Sequence, residues 1–338
     1  MIAMLLLAAR AATADSLPPH VDVRRDDHRH ELVVTIGPFN IPASMPMLDM
    51  DMMTMHQDEA LVGRFVWPAT ASFHAVRLSV ATADGTALPR RLLHHTYMVN
   101  FDRRQLVFPI AERPFSFGEE TEDLKAPATI GVPMVGGQRL GIVIMWNNET
   151  GRAISGAYVR YAFRLNPQHQ RPGPMAVLPI FVDVGYHAGG GDVFVVPPGG
   201  RTLTREFVVP VSGRLIGASG HLHDHAVEMR VEDVHSGANL VTVHAVRDST
   251  GRVERVSREL PGLWGRGPHL VAGRPYRLVL VYDNPTRDTL TGVMGMLAGL
   301  FTPDRLSHWP AIDSTNAEYL ADLRGLLSSE LHPVAITH

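Results

Sequence analysis

Short apolar runs separated by turn residues recur along most of this chain. Before residue 166 they include ELVVTIGPF, GRFVWP, LVFPI, LGIVIMW and AYVRYAFRL, with Gly, Pro, Asn and Asp between them. Runs of this length and spacing are typical of antiparallel β-sandwiches. A Pro-rich stretch, NPQHQRPGPMAVLP at 166–179, interrupts the series, and a second set of similar runs follows. The pattern predicts an all-β protein with two antiparallel, jelly-roll-like β-sandwiches in tandem, over residues 31–168 and 169–312.

The first thirty residues do not follow the strand pattern. Residues 1–14 combine an apolar run with the small residues Ala-Thr-Ala, which is typical of the end of a secretory signal. We therefore expect an exported protein, either periplasmic or secreted. Residues 15–30 are polar and contain two prolines, and we predict a flexible lead-in there.

A short helix is predicted in the C-terminal tail, residues 313–338. Within NAEYLADLRGLLS, residues 316–328, the side chains of Tyr319, Leu320, Leu323 and Leu327 fall on one helical stripe. We expect this helix to pack against the second sandwich.

Composition narrows the possible partners. The chain of 338 residues has 45% hydrophobic and 19% charged residues and a net charge of −3, which argues against nucleic acid or an anionic membrane as the main partner. No apolar stretch is long enough to cross a bilayer, so we expect no membrane insertion after signal removal. There is no cysteine, which excludes disulfides, thiolate metal sites and cysteine nucleophiles.

The segment HLHDHAVEMRV contains the strongest chemical signal. If it forms one strand, His221, His223 and His225 share a face with the apolar side chains that follow them. Buried imidazoles need a partner, and a metal ion bound by a His-x-His pair provides one. The alternative is a core strand whose histidines form ordinary hydrogen bonds.

Further candidate ligands lie elsewhere in a chain that has 18 histidines and 15 methionines. Imidazole suits copper or zinc, whereas a thioether favours Cu(I). Neighbouring strand residues point to opposite faces, so His94 and His95 can share an ion only in a twisted or edge geometry. The other candidates are Met145, Met294 and Met296. The segment MPMLDMDMMTMH, residues 45–56, can be read as a copper-handling stretch or as a packing segment.

The order of these motifs carries a resemblance. A His-His pair, a strand ending in Met-Trp-Asn-Asn, a His-x-His pair, Tyr-Asp-Asn and a downstream methionine follow one another between residues 31 and 303. This order resembles the copper type II, ascorbate-dependent monooxygenases (peptidylglycine α-hydroxylating monooxygenase and dopamine β-hydroxylase), and more closely their bacterial relatives. The resemblance implies two coppers across a cleft between two sandwiches. Ascorbate or another reductant would support hydroxylation of a small-molecule or peptide substrate.

Carried over to this chain, the resemblance makes His94 and His95 ligands of the electron-donating copper. His221 and His223, with Met294 or Met296, become ligands of the oxygen-binding copper. Met145 stands where the family has a third histidine in the first site. His74 and His187 can replace that histidine only if the fold brings them near.

Three functional hypotheses remain open at this stage. The chain is a copper monooxygenase-like enzyme, or a non-catalytic exported protein that binds or handles copper, or a β-sandwich module with structural histidines. A zinc hydrolase is less favoured because the sequence places no third histidine or carboxylate at the His-x-His pair. The acidic pair Glu119-Glu120 is expected to lie in a solvated loop.

Overall fold

The computed structural model describes residues 19–43, 60–167, 171–186, 193–263 and 267–328. The signal-like segment 1–14 and the Met-rich segment 45–56 lie outside the described residues. Among the described residues, no helix is long and apolar enough to cross a membrane.

The first half of the chain forms two facing sheets, which are antiparallel except for the parallel pair β10-β13. Its strands are β1 (His20–Asp26), β2 (Glu31–Ile41), β3 (Ala60–Val66), β4 (Ala71–Thr82), β5 (Ala87–Leu88), β6 (Leu93–Arg104), β7 (Ala111–Glu112), β8 (Ser116–Gly118), β9 (Leu124–Lys125), β10 (Ile130–Met134), β11 (Arg139–Trp146), β12 (Ile154–Leu165) and β13 (Met175–Ala176). One sheet has the order β1-β2-β12-β4-β10-β13, with β5 and β9 paired to β4. The other has the order β3-β11-β6-β7, with β8 paired to β6. A 3-10 turn, Arg90–Leu92, precedes β6.

The second half forms another sandwich. Its strands are β14 (Leu178–Asp183), β15 (Phe194–Val196), β16 (Arg201–Val208), β17 (Gly213–Leu222), β18 (Ala226–Asp233), β19 (Asn239–Arg247), β20 (Val253–Val256), β21 (His269–Leu270), β22 (Pro275–Tyr282), β23 (Leu290–Val293) and β24 (Gly295–Pro303). The sheets have the orders β14-β24-β17-β21 and β16-β22-β18-β19-β20, with a separate β15-β23 pair. The chain then makes a 3-10 turn, Leu306–His308, and the helix α1, Ala317–Ser328.

Each half has its own apolar core. Trp67, Phe73 and Phe163 are fully buried in the first, where their rings pack edge-on or tilted. Tyr276 and Phe301 are buried in the second. Side chains alternate between the two faces of a strand. The two-residue period of these runs therefore gives each sheet an apolar face, and the apolar faces of two sheets pack together to form each sandwich. The all-β prediction, with tandem jelly-roll-like sandwiches and one short C-terminal helix, is confirmed.

The change from one sandwich to the other falls inside the Pro-rich segment. Strand β13 still pairs with β10 of the first half, and Val177 is buried in the first core. Strand β14, which begins at Leu178, pairs with β24 of the second half. The structural boundary therefore lies about ten residues after the predicted one at 168.

The prediction of a flexible lead-in over residues 15–30 is wrong for residues 20–26. They form β1, which pairs antiparallel with β2 along its whole length. Val21 and Val23 pack against the first core, and Arg24 points to solvent. An edge strand tolerates this density of charge on its outer side, which hid the strand signal in the sequence.

The helix exists where it was predicted, but its expected packing is wrong. Asn316 caps α1 by accepting hydrogen bonds from the backbone N–H groups of Glu318 (2.9 Å) and Tyr319 (3.1 Å). Tyr319 and Leu326 pack on Val99, Ala111 and Val143, which belong to the first sandwich. Leu320, expected on the buried stripe, is 37% exposed. The helix thus covers the outer face of the β6-β11 sheet.

Candidate metal centre

A β-bulge brings His94 and His95 to the same side of strand β6. Met145 pairs with His95 and Trp146 pairs with Leu93, so His94 is the extra residue between two paired positions. A bulge re-aims a side chain that would otherwise point to the opposite face. The two imidazole rings stack with their centroids 3.9 Å apart. The bulge supplies the irregular geometry that a shared ion requires of adjacent histidines.

His221 and His223 come from the end of β17 and the turn after it. The prediction of one continuous strand through His225 is wrong, because β17 ends at Leu222 and β18 begins at Ala226. The backbone N–H of His223 donates to the Tyr282 hydroxyl at 3.0 Å. The rings of His221 and His223 lie 4.8 Å apart and nearly perpendicular.

His225 does not join these histidines. Its backbone is left-handed, with a φ of 68°, and its N–H donates to the Gly251 carbonyl at 2.8 Å. Its ring lies against the same glycine, where an added Cβ would sit 2.3 Å from Nδ1. The turn therefore directs His225 toward the 248–252 loop.

The two histidine pairs meet at the contact between the two sandwiches. Nε2 of His95 lies 3.0 Å from Nε2 of His221. Nitrogens of His94, His95 and His223 all lie within 4.8 Å of one another. We call these four residues, His94, His95, His221 and His223, the histidine cluster. The resemblance implied two pairs separated by a cleft, whereas this structure places them in direct contact.

Glu120 orients one ring of the histidine cluster. Its Oε1 lies 2.6 Å from Nδ1 of His221, and both side chains are buried. With Nδ1–H donating to this carboxylate, Nε2 of His221 faces the cluster and is available as a ligand. A carboxylate in this position fixes the tautomer of metal-binding histidines and raises their basicity.

Electrostatics keep most of the histidine cluster neutral. Burial, together with neighbouring imidazoles, lowers the pKa of His94 to about 4. Burial and neighbouring imidazoles also lower the pKa values of His95 and His223 well below the ordinary value. Burial alone would raise the pKa of Glu120, but its electrostatic interaction and hydrogen bond with His221 lower that pKa below its usual range. A neutral imidazole keeps a lone pair on one ring nitrogen, so these rings, which lie beside a carboxylate, can bind a cation.

The donor set fits a metal ion. Nε2 of His94 and Nε2 of His223 are buried and have no hydrogen-bond partner among the described residues. Leaving such atoms unpaired costs about 1–3 kcal/mol each. Two imidazole nitrogens bound to one ion at about 2.0–2.1 Å lie roughly 2.9–3.4 Å apart, and the 3.0 Å between His95 and His221 agrees with this. An ion bound here satisfies atoms that the polypeptide leaves unpaired.

The predicted methionines lie beside the cluster. Met296 is the cross-strand partner of His221. Met294 accepts a hydrogen bond at its carbonyl from the Tyr282 hydroxyl, at 2.6 Å. Both methionines line the same cavity as His95 and His221. Met145 is buried opposite His95, on the same face of the neighbouring strand.

The cavity lies between the two sandwiches and has a volume of about 330 Å³. Three rows of paired residues from β14, β24 and β17 form one wall. These rows are Pro179–Leu300–Gly217, Phe181–Ala298–Ser219 and Asp183–Met296–His221. The opposite wall is formed by β6 and β8, with His95 beside Gly118 and Tyr97 beside Ser116. Helix α1 closes one side with Ala321, Asp322 and Leu326.

Sequence reasoning missed Glu120. The expectation of a solvated loop at Glu119-Glu120 is wrong, because Glu120 is 7% exposed and Glu119 bonds Arg252 and Asn147. Glu120 and His221 are 101 positions apart in the chain, and no local pattern connects them. His74 bonds the Ala126 carbonyl at 2.7 Å and lies outside the histidine cluster. His187 lies outside the described residues.

Comparisons with known proteins add little about function. No protein-family model and no curated protein matches this chain. Among solved structures it is similar to the STIV MCP, a viral capsid protein (TM-score 0.38, 9% identity, 73% of this chain and 94% of that one). It is also similar to a putative secreted protein from Eubacterium rectale (TM-score 0.22, 8% identity, 71% and 68%). A fucolectin from Morone saxatilis, striped bass, gives a TM-score of 0.21 at 9% identity over 81% and 83%. With TM-scores this low, none of these likenesses carries an argument about the activity of this chain.

Proposed function

We propose that the histidine cluster binds copper and that the chain is a copper-dependent monooxygenase-like protein. In this reaction a substrate C–H bond becomes C–OH, the second oxygen atom of O2 leaves as water, and a reductant such as ascorbate supplies two electrons. The proposal rests above all on the convergence of four histidines from two sandwiches around orphaned nitrogens. Copper, when bound, would supply the one-electron redox chemistry toward O2.

The surroundings of the cluster favour copper over zinc. Imidazoles alone bind zinc or copper, so the neighbouring thioethers decide between the two metals. Met294 and Met296 line the cavity at His95 and His221. Thioether ligands select Cu(I). The proposed ligands are the four histidines, with Met294 or Met296 as the thioether donor.

The remaining side chains have assigned roles in this proposal. Glu120 holds the His221 ring by its Nδ1–H, so that Nε2 stays directed into the cluster. Tyr282 links the His223 backbone to the Met294 carbonyl and thereby fixes the spacing between these two segments. The adjoining cavity gives a small-molecule or peptide substrate a place beside the histidines.

A second candidate is a non-catalytic, exported protein that binds or handles copper. It is favoured by Met145, which stands in a strand position where the monooxygenase resemblance requires a histidine ligand. Both candidates predict copper binding, and they differ in reductant-dependent consumption of O2.

The test combines metal analysis with oxygen uptake. Purified protein loaded with copper should retain at least one ion per chain, and Cu(II) should give an electron paramagnetic resonance spectrum with nitrogen coupling. His223→Asn should lower the retained copper, whereas the matched control His225→Asn should not, because His225 faces Gly251. Ascorbate and an accepted substrate should drive O2 consumption. Copper binding without O2 consumption would favour the second candidate, and absence of copper binding would overturn both.

A further inference from the structure

We infer that the cavity between the two sandwiches binds an uncharged, mostly apolar small molecule of about ten non-hydrogen atoms. The inference deepens the proposed function, on which it rests for the identity of that molecule as the substrate. Binding itself depends only on the cavity, which exists whether or not a metal is present.

Small residues on both walls create the cavity. In the middle row of the second sandwich, Ser219 pairs with Ala298. Across the gap, Ser116 lines the first sandwich. Two packed sheets normally interdigitate large side chains across about 10 Å. Small side chains facing each other leave the space unfilled.

The walls are mainly aromatic and aliphatic. Tyr97, Phe181 and Tyr186 line the cavity, together with Leu300 and Leu326. Pockets of about 300–1,000 Å³ lined in this way, with a few convergent polar groups, are typical ligand sites. Liquid water occupies about 30 Å³ per molecule, so 330 Å³ corresponds to roughly eleven waters. A ligand of about ten non-hydrogen atoms would fill the same volume as these waters.

The charged side chains that line the cavity balance in number, with three cations and three anions: Arg113, Lys125 and Arg258, and Asp183, Glu122 and Asp322. Arg113 pairs with Asp322 at 2.6 Å, and both are mostly buried. Arg258 pairs with Glu122 at 3.5 Å. A charged ligand would lose its hydration and meet no net charge of the opposite sign, and burying an unpaired charge is costly. The cavity therefore selects a neutral molecule.

The polar end of the cavity is at the histidine cluster. His95 and His221 contribute to the lining there, beside Met294 and Met296. A neutral ligand with one hydroxyl or carbonyl group can place it at this end, while its apolar body occupies the rest. This orientation would bring a C–H bond close to the proposed copper ligands.

The experiment uses three ligands of matched shape, namely 2-naphthol, 2-naphthoate and 2-naphthylmethylammonium, titrated by calorimetry into metal-free full-length protein. We expect 2-naphthol to bind at least about tenfold more tightly than either ion, because the ions must be desolvated. Ala298→Leu places an isopropyl group in the middle of the wall and should weaken 2-naphthol binding by at least about tenfold through loss of cavity volume. Ala317→Leu, the same change at an exposed position of α1 outside the cavity, should leave binding unchanged.

Ala321→Leu provides a second blocked variant, on α1, in case Ala298→Leu fails to fold. Equal binding of all three ligands, or undiminished binding in a folded blocked variant, would overturn the inference. Failure of copper binding with intact 2-naphthol binding would remove the proposed function and leave this inference standing. Intact copper binding without 2-naphthol binding would remove only this inference.

Discussion

Replacing Glu120 tests whether this carboxylate orients the His221 ring for metal binding. Its Oε1 accepts from Nδ1 of His221 at 2.6 Å in a buried site. Glu120→Gln keeps the shape and an acceptor oxygen but removes the charge. Hydrogen bonds to charged groups contribute about 1.5–3 kcal/mol and neutral ones about 0.5–1.5. We therefore expect a loss of about 1–1.5 kcal/mol, which weakens copper affinity about 5- to 12-fold. Glu120→Ala removes the acceptor and should weaken it about 10- to 100-fold.

A neighbouring glycine offers an independent way to move the same carboxylate. A Cβ at position 118 would lie 2.5 Å from Oε2 of Glu120. Gly118→Ala should displace the carboxylate from His221 and weaken copper binding in the same direction as Glu120→Ala. Because Glu120 is unchanged in this variant, the effect would be due to position and not to lost charge.

The assay is competition for Cu(I) with a chromophoric chelator of known affinity, under anaerobic conditions. Glu119→Gln is the matched control, because Glu119 bonds Arg252 and Asn147 and contacts no histidine of the cluster. The Cu(I) affinity of the Glu119→Gln variant should equal that of the wild-type protein. If Glu120→Gln and Glu120→Ala both bind copper like the wild type while His221→Asn does not, the carboxylate does not set the ring.

Three further predictions concern stability. Burial lowers the pKa of His94 to about 4, from 6.5 in an unfolded chain. The unfolded state therefore binds more protons between these values, and His94 alone should contribute a loss of about 2–3 kcal/mol in metal-free protein as the pH falls from 7 to 4.5. His95 and His223, whose pKa values are also lowered, add to this loss, and urea denaturation should show a smaller loss for His94→Asn. Saturation with copper at about 100 times its Kd should add about 2.7 kcal/mol to the free energy of unfolding, and a chelator should reverse the accompanying rise in Tm. Asp322→Ala, which breaks the ion pair with Arg113 and a bond to the Ala111 N–H, should cost about 2–3 kcal/mol by chemical denaturation; the exposed Arg324→Ala should cost almost nothing, and equal effects would contradict this account.

Most strands and their division into two groups follow from local sequence patterns, with β1 as an exception. The two-residue alternation is a local property of a strand, so that β12 and β22 can be found without knowing their neighbours. The capped C-terminal helix follows from its local pattern in the same way. The chemistry of the candidate site was also visible, since His94, His95, His221 and His223 stand out by residue type and spacing.

How these residues come together depends on tertiary contacts. The bulge at His94 depends on the register of β6 against β11, which no single strand encodes. The turn that separates His223 from His225 depends on hydrogen bonds with Tyr282 and Gly251. Glu120 reaches His221 across the contact between the two sandwiches. Such contacts join positions that are distant in the chain. Their geometry follows from the way in which two folded units pack. Local patterns of hydrophobic and polar residues do not contain this information.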